Sequence, residues 1–538
     1  MNDLGEPLDL DSQTGLTREE LLRRAAVGGA AVLASGTLAE AAQAALEAGP
    51  KRGGTFRIGV SGGGAKDFID GQNIVTRPDQ ARIVTGWETL LTFDRNFKLV
   101  FDGLAEEISA SRADVWTIRV RRGIEFHNGK TLGADDIIYS LRRLVNPKLK
   151  LFGGAALASI DPKRMRKLDK RTVRLFLKRK DASILDALGQ YVAGVVPVGY
   201  SPNAIGRAKP NIGTGPYKLQ SFTPGERSVH VRNPNYWRSG QPYFDKVVII
   251  DFPDDTARVN ALLGGQIDAM TDVPPAQVRV VDGNSRTNVL ESPSAAWTPI
   301  CMRVDAPPFK DVRVRRAMRL IANRPQMVRQ ALAGHGRIGN DLYAPFDEAY
   351  ARDLPQRHQD IERAKALLKA AGQSDLTVEL TSTNGAVGMN EGAQVFAQQA
   401  RAAGIRVTPK ILDSNAFYGA QYLKWPFSTD FWGSRNYLSQ VAAGSLPTSP
   451  YNETHWPPSG TKFLSLYREA LATVNRRKRR EILHEMQKLE YDSGGYIVWG
   501  FSTLLDGYST KVKGLKRGDK GVLPLNAFGH GYRTIWFG

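Results

Sequence analysis

Cysteine is nearly absent from this sequence. Its 538 residues contain one, Cys301, so no disulfide framework can staple the chain. An isolated thiol in an apolar, strand-like context reads as a small buried filler. Histidine is scarce as well, with seven in all. His127 has no second His or acidic ligand at metal spacing, so it reads as a structural residue of a turn, and no metal or cofactor is expected. Long hydrophobic runs are missing too. The uncharged run of small and apolar residues 25–38 is too short and too rich in Gly and Ala to span a bilayer stably. Zinc spacings, RNP-type runs and helix-turn-helix signals do not occur. The net charge of +19, from 73 Lys and Arg against 54 Asp and Glu, is therefore scattered basicity rather than a nucleic-acid module. Its densest run, Arg476-Arg477-Lys478-Arg479-Arg480, reads as a solvated helix start, and no nucleic-acid partner is expected.

What is present is an ordinary soluble composition, 42% hydrophobic and 24% charged, in a chain long enough for about three domains. Residues 1–44 read as a targeting segment. Arg23-Arg24 precede the uncharged run, and Ala42-Gln43-Ala44 offers small residues at a cleavage site. The paired arginines resemble a Tat signal, with a Sec signal as the alternative. Cleavage near Ala44 would remove 3 basic and 7 acidic residues and leave a mature net charge of +23. No membrane insertion of the mature chain is expected, and a monomer is the expected state.

Residues 55–60 alternate as a first strand, followed by Ser61-Gly62-Gly63-Gly64. Gly59-Val60-Ser61-Gly62-Gly63 formally matches the nucleophile elbow of hydrolases, but that motif demands a helix directly after the serine, and glycines follow here. Residues 116–120 and 171–177 alternate as strands. Asp135 and Asp136 open a helix at its positive end, with Ile137, Ile138, Leu141 and Leu144 on one face. From Gly213-Thr214-Gly215-Pro216 a tight turn leads into two alternating runs, separated by Pro224-Gly225 and closed by Tyr236-Trp237, which predicts a β-hairpin. Residues 247–250 form a short continuous apolar run, as expected of a strand covered on both faces. Asp311 and Asn323 stand as caps of successive helices. Residues 376–380, a helix around Val395 and residues 405–411 predict a β-α-β unit with parallel strands. Helices are predicted over 463–474 and 480–491, and an apolar strand over 496–501.

Several of these motifs resemble the family-5 extracellular solute-binding proteins, the peptide, oligopeptide and nickel receptors of ABC importers. They are Gly213-Thr214-Gly215-Pro216-Tyr217, Arg232-Asn233-Pro234-Asn235-Tyr236-Trp237, Arg122-Gly123-Ile124-Glu125-Phe126-His127-Asn128-Gly129 and the stretch from Pro307 to Ala317. The resemblance implies an α/β fold of the type II periplasmic-binding-protein kind, with two lobes, a discontinuous hinge-linked lobe and an additional domain of the family. It implies a first domain from 45–83, 210–295 and 503–538, a second from 84–209 and a third from 296–502. It further implies a periplasmic receptor that captures a small peptide or related solute between lobes and hands it to ABC permease subunits, without catalysis. The competing reading is a secreted α/β hydrolase, for which only Ser61 and scattered His residues offer chemistry.

Residues 417–456 contain ten aromatics, a quarter of the segment against 9% for the chain. Such rings are either pocket walls or core plugs under a long loop. The candidate ligand-binding residues are Trp425, Asp430, Trp432, Arg435, Asn436 and Tyr437. By the family resemblance, Asp430 stands at the position of a strand-end Asp. Arg435-Asn436 fall where peptide-binding relatives carry an acidic contact for the ligand amine. A guanidinium there suits a carboxylate or another anion instead.

Overall fold

The strand Thr55–Ser61 lies inside the largest sheet, between Lys246–Phe252 and Ala269–Met270, and runs parallel to both. Its apolar side chains Phe56, Ile58 and Val60 are fully buried. In this computed structural model the described residues are 49–65, 67–74, 76–202, 212–458, 460–515, 525 and 532–538. The targeting segment 1–44, with Arg23-Arg24 and Ala42-Gln43-Ala44, and the expected boundary at 209 and 210 lie outside them. The large sheet has the order Thr287–Pro293, Gly500–Ser509, Ala269–Met270, Thr55–Ser61, Lys246–Phe252, Arg227–Arg232, Tyr217–Thr223, and Gly336–Ile338 pairs Gly500–Ser509. Tyr217–Thr223 and Arg227–Arg232 form the predicted antiparallel hairpin, and Tyr236 meets Trp237 edge-on.

A second sheet, antiparallel throughout, has the order Ala105–Arg112, Val115–Val120, Thr172–Leu177, Ile160–Lys167. The helix Ala134–Leu144 packs its predicted apolar face on this sheet. A third sheet runs Arg406–Leu412, Thr377–Thr383, Phe427–Thr429, Ile300–Met302, Tyr496–Ile497. Its first two strands are parallel and joined through the helix Met389–Ala400, as the β-α-β pattern requires. The caps are as read: Asp311 accepts the Arg313 N–H and Asn323 the Gln326 N–H. Cys301 is buried in the strand Ile300–Met302.

Two expectations change. The strand Lys246–Phe252 is closed on one face only, with Val247 and Ile249 fully buried and Val248 and Ile250 half-buried. A mixed sheet with an antiparallel partner leaves the second face partly covered, although the apolar run suggested otherwise. The long helix near the C-terminus begins at Arg476, under an Asn475 cap, rather than at the predicted 480, and the arginine run forms its first turns as read.

The chain passes between the first two sheets where the helix Arg77–Gly86 ends and where Gly213 to Pro216 return. These backbones touch: a β-carbon on Gly213 would lie 2.0 Å from the Gly86 carbonyl oxygen, and one on Gly215 2.5 Å from the Gly86 carbonyl carbon. Only glycine fits. The passage between the first and third sheets is likewise double, with the Ser502 N–H donating to the Ala296 carbonyl and the Ser294 hydroxyl to the Ser502 carbonyl. Ser61 ends its strand and leads into Gly62 and Gly63, at φ of 89° and 102°, with no helix after it.

His127 ties the turn of the second sheet to the returning chain. Its Nδ1 accepts the Gly213 N–H and its Nε2–H donates to the Gly215 carbonyl, which fixes a neutral ring. Burial, reinforced by Lys218, pushes its pKa down to about 4 from 6.5. Unfolded chains therefore take up a proton at a higher pH than folded ones, and this site costs stability as pH falls from about 6.5 toward 4. His127→Gln should be less stable than wild type at pH 7, and the gap should narrow by about 1–3 kcal/mol by pH 4. Chemical denaturation of both proteins across that range measures it, and a gap independent of pH would refute the linkage.

Candidate functional site

The aromatic segment begins as core. Phe417, Phe427, Trp432, Tyr437 and Trp456 are all buried, whereas Phe431 and Tyr451 stay 46% and 43% exposed. Phe427 fixes the strand Phe427–Thr429 by packing on Phe309 at 4.7 Å. Trp425 is half-buried; its indole stacks on Phe417 and its Nε1–H donates to the Phe417 carbonyl.

The strand Phe427–Thr429 delivers Asp430 into a buried position. Its carboxylate accepts the Phe431 N–H at 2.8 Å and the Tyr422 hydroxyl at 3.0 Å. Burial raises its pKa to about 6, against the pull of these donors. Glu453 lies beside it and is pushed well above the usual carboxylate range, first by burial and then by Asp430. It accepts the Tyr496 hydroxyl.

Two residues on, Trp432 exchanges both backbone hydrogen bonds with Trp297, and the two indoles stack at 6.3 Å. Trp297 in turn stacks on Tyr343 at 5.4 Å, and Tyr343 on Tyr437 at 5.4 Å. The row ends at Glu490, which accepts the hydroxyls of Tyr343 and Tyr437. Burial raises Glu490 to about 7 despite both donors. Tyr437 thus has its ring in the core and its hydroxyl engaged.

Arg435 leaves this row. Its guanidinium carbon sits 5.1 Å from the centre of the Trp432 ring, within cation–π range. Its Nη1 is shielded from solvent and has no hydrogen-bond partner among the described residues; the same holds for the Trp432 Nε1. Burial lowers its pKa, while Tyr191, Tyr451 and Glu453 act in the opposite sense. Tyr191 belongs to the stretch that carries the second sheet, so Arg435 faces across from one part of the chain to another. Its neighbour Asn436 bridges the same gap, donating from Nδ2 to Asp186 at 2.9 Å. Asp186 is raised to about 7 by burial and by the Asp347 carboxylate. The Ala182 N–H adds a backbone link to the Leu471 carbonyl.

The structure brings Trp432, Arg435 and Asn436 to one wall. Asp430 and Tyr437 lie behind that wall, and Trp425 packs on Phe417. Sequence reasoning missed Tyr191, Asp186, Glu453 and Gln440. Only Gln440 left a local trace, as a polar residue at helical spacing from Tyr437 and Gly444 on a buried face. The role of Tyr437 has a direct check. Tyr437→Phe should lower folding stability by about 1–3 kcal/mol, because Glu490 loses a donor. Urea unfolding at pH 8 reads this, and unchanged stability would show that the hydrogen bond contributes nothing.

With the geometry in place, comparisons can be made. The family described as "Bacterial extracellular solute-binding proteins, family 5 Middle" matches residues 100–466. The chain is 25% identical over 467 residues to the dipeptide-binding protein of Escherichia coli, covering 80% of this chain and 86% of that protein. It is similar to the structure of the ABC transporter substrate-binding protein CtaP from Listeria monocytogenes, with TM-score 0.78, 19% identity and coverage of 90% and 100%. It is also similar to the binding protein AgaA from A. tumefacien, solved with agropinic acid, with TM-score 0.73, 21% identity and coverage of 90% and 99%. At such identities the structures establish the α/β fold over 90% of the chain. Among the described residues no helix is long and apolar enough to cross a membrane. The chain is therefore a family 5 bacterial extracellular solute-binding protein, a member of the non-enzymatic receptor class that serves ABC transporters.

Proposed function

We propose that this protein is the periplasmic receptor of an ABC importer, and that it captures a small peptide or related solute through a carboxylate or another anionic group bound at Arg435. The observation that carries this reading is the unused Nη1 of Arg435, enclosed, lying over Trp432 and facing Tyr191. Buried donors are paired in the great majority of cases, and an unpaired guanidinium nitrogen at a wall between two parts of the chain suits an absent anion. Trp432 supplies the ring under the guanidinium, and Asn436 holds the facing element through Asp186. Asp430 is engaged with Phe431 and Tyr422, which makes it a support of the wall rather than the anchor of a ligand amine.

Relatives differ in cargo. One is described as a dipeptide-binding protein and another was solved with agropinic acid. A carboxylate is chemistry that a peptide and many other small solutes share. Export after removal of residues 1–44, monomeric action and delivery to permease subunits complete the proposal. The mature charge of +23 would help draw an anion in at low salt.

The test starts from solute released by unfolding the purified protein and identified by mass spectrometry. Calorimetric titration of wild type, Arg435→Ala and Arg435→Lys with that solute follows. Arg435→Ala should cost about 2–5 kcal/mol of binding, and Arg435→Lys should recover only part, because an ammonium lacks the planar fork. A neutral solute, or unchanged affinity in Arg435→Ala, would sink the proposal.

A further inference from the structure

Gln440 buries an entire amide without using it. The side chain is 1% exposed, and among the described residues neither its Nε2 nor its Oε1 has a hydrogen-bond partner. A primary amide brings two donor hydrogens and an acceptor oxygen, and each buried group left unmade costs about 1–3 kcal/mol. A sequence does not keep such a group on an otherwise apolar helix face for packing alone, since leucine would fill the volume at no polar cost.

The position of the amide ties it to the wall described above. Gln440 stands in the helix Tyr437–Gly444, whose first residue follows Asn436. It meets Trp432 over Gly444: a β-carbon on Gly444 would lie 2.7 Å from Trp432 Cζ2 and 3.3 Å from Gln440 Nε2. The glycine leaves the room in which indole and amide come together. The helix also lies against the turn Phe152–Leu157 from the stretch that carries the second sheet. Arg435, Trp432 and Gln440 therefore form one contiguous set. It offers three unused donor atoms, Arg435 Nη1, Trp432 Nε1 and Gln440 Nε2, and one unused acceptor, Gln440 Oε1.

The set is asymmetric, and the asymmetry carries chemical information. A carboxylate only accepts hydrogen bonds, so it can serve donors such as these. It cannot serve Oε1, which needs an N–H or O–H. We propose that Gln440 is a specificity-determining residue that reads a hydrogen-bond donor adjacent to the carboxylate held at Arg435. The ligand class is then a carboxylic acid with a neighbouring N–H or O–H: the C-terminal residue of a peptide or an N-acyl amino acid on one side, a 2-hydroxy acid on the other. This inference rests on the carboxylate reading of Arg435. A site that binds a donor through its own buried acceptor rejects the analogue lacking that donor far more strongly than a merely apolar pocket would.

Matched probes test it on the purified full chain. L-alanyl-L-alanine, N-acetyl-L-alanine and L-lactate carry the donor. L-alanyl-L-lactate, O-acetyl-L-lactate and 2-methoxypropionate are the same acids without it, and methyl esters of the first three lack the carboxylate. Melting shifts and calorimetry are read on wild type, Gln440→Leu and Arg435→Ala. In wild type, at least one donor-bearing acid should bind about ten-fold more tightly than its donor-free partner. In Gln440→Leu that difference should vanish while the unliganded melting temperature holds or rises. Whether the dipeptide, the acyl amino acid or the hydroxy acid binds tells the sources apart. Equal binding within every pair, a difference that persists in Gln440→Leu, or no binding of any of these acids at about 10 mM would overturn the proposal and leave ordered water as the partner of the amide. If esters bind as well as acids, or Arg435→Ala binds normally while Gln440→Leu loses discrimination, the carboxylate reading of Arg435 falls and the role of Gln440 stands. If Arg435→Ala loses binding and Gln440→Leu keeps full discrimination, Arg435 stands and Gln440 falls.

Discussion

A single buried carboxylate, Glu88, fixes the crossing on which the two ends of the first passage depend. It is 4% exposed and accepts the Tyr236 hydroxyl at 2.7 Å, the Trp237 Nε1–H at 2.9 Å and the Thr214 hydroxyl at 3.1 Å. Burial raises its pKa, and the Tyr236 and Trp237 donors, with Arg533 and Arg238, oppose the rise. A carboxylate taken out of water needs its acceptor sites filled, and here every donor comes from the returning chain. The turn at Gly213 to Pro216 and the aromatic pair Tyr236-Trp237 are thus not separate features of a hairpin. They are the two halves of a cradle for Glu88. Backbone contact between Gly86 and Gly213 or Gly215 brings the strands close enough for that cradle to form.

The same principle, a buried acid satisfied by aromatic hydroxyls, recurs behind the candidate site. Glu490 takes Tyr343 and Tyr437, and Glu453 takes Tyr496. Between these anchors the rings of Trp432, Trp297, Tyr343 and Tyr437 stack as a continuous row. A row whose faces are stacked, whose tyrosine end is held by Glu490 and whose Trp432 backbone is paired with Trp297 leaves Trp432 little rotational freedom. Arg435 therefore rests on a ring that is already positioned, which in its proposed role would lower the ordering cost of binding.

Much of the fold was legible because its causes are local. The hairpin Tyr217–Arg232, the caps Asp311 and Asn323 and the parallel pair Thr377–Thr383 with Arg406–Leu412 follow from turn residues, side-chain caps and periodicity within short windows. The cover on Lys246–Phe252 was misjudged because an apolar run does not say how complete its second layer is. The candidate site was only half legible. Aromatic density in 417–456 pointed to the region, yet composition cannot distinguish Tyr437, turned inward to Glu490, from Arg435, turned toward Tyr191. Asp186 is 250 residues from Asn436, and nothing near either residue announces the pair. Gln440 needed the helix direction before its burial could be seen.

Charge decides what the wall can attract. Asp430 and Glu453 stand close behind Arg435, and two ionised carboxylates there would cancel it and favour a cation. Burial opposes this by pushing Glu453 well above its usual range, with Asp430 adding to the rise. The carboxylate of Asp430 accepts the Phe431 N–H and the Tyr422 hydroxyl. Across the gap, Asp186 is itself raised to about 7 and engaged by Asn436. The acids near the wall are thus shifted upward by burial or engaged by donors, while Arg435 keeps an unfilled donor. In the proposed role, a guanidinium with an unfilled donor beside acids that burial and hydrogen bonds engage suits an anionic group on the incoming solute.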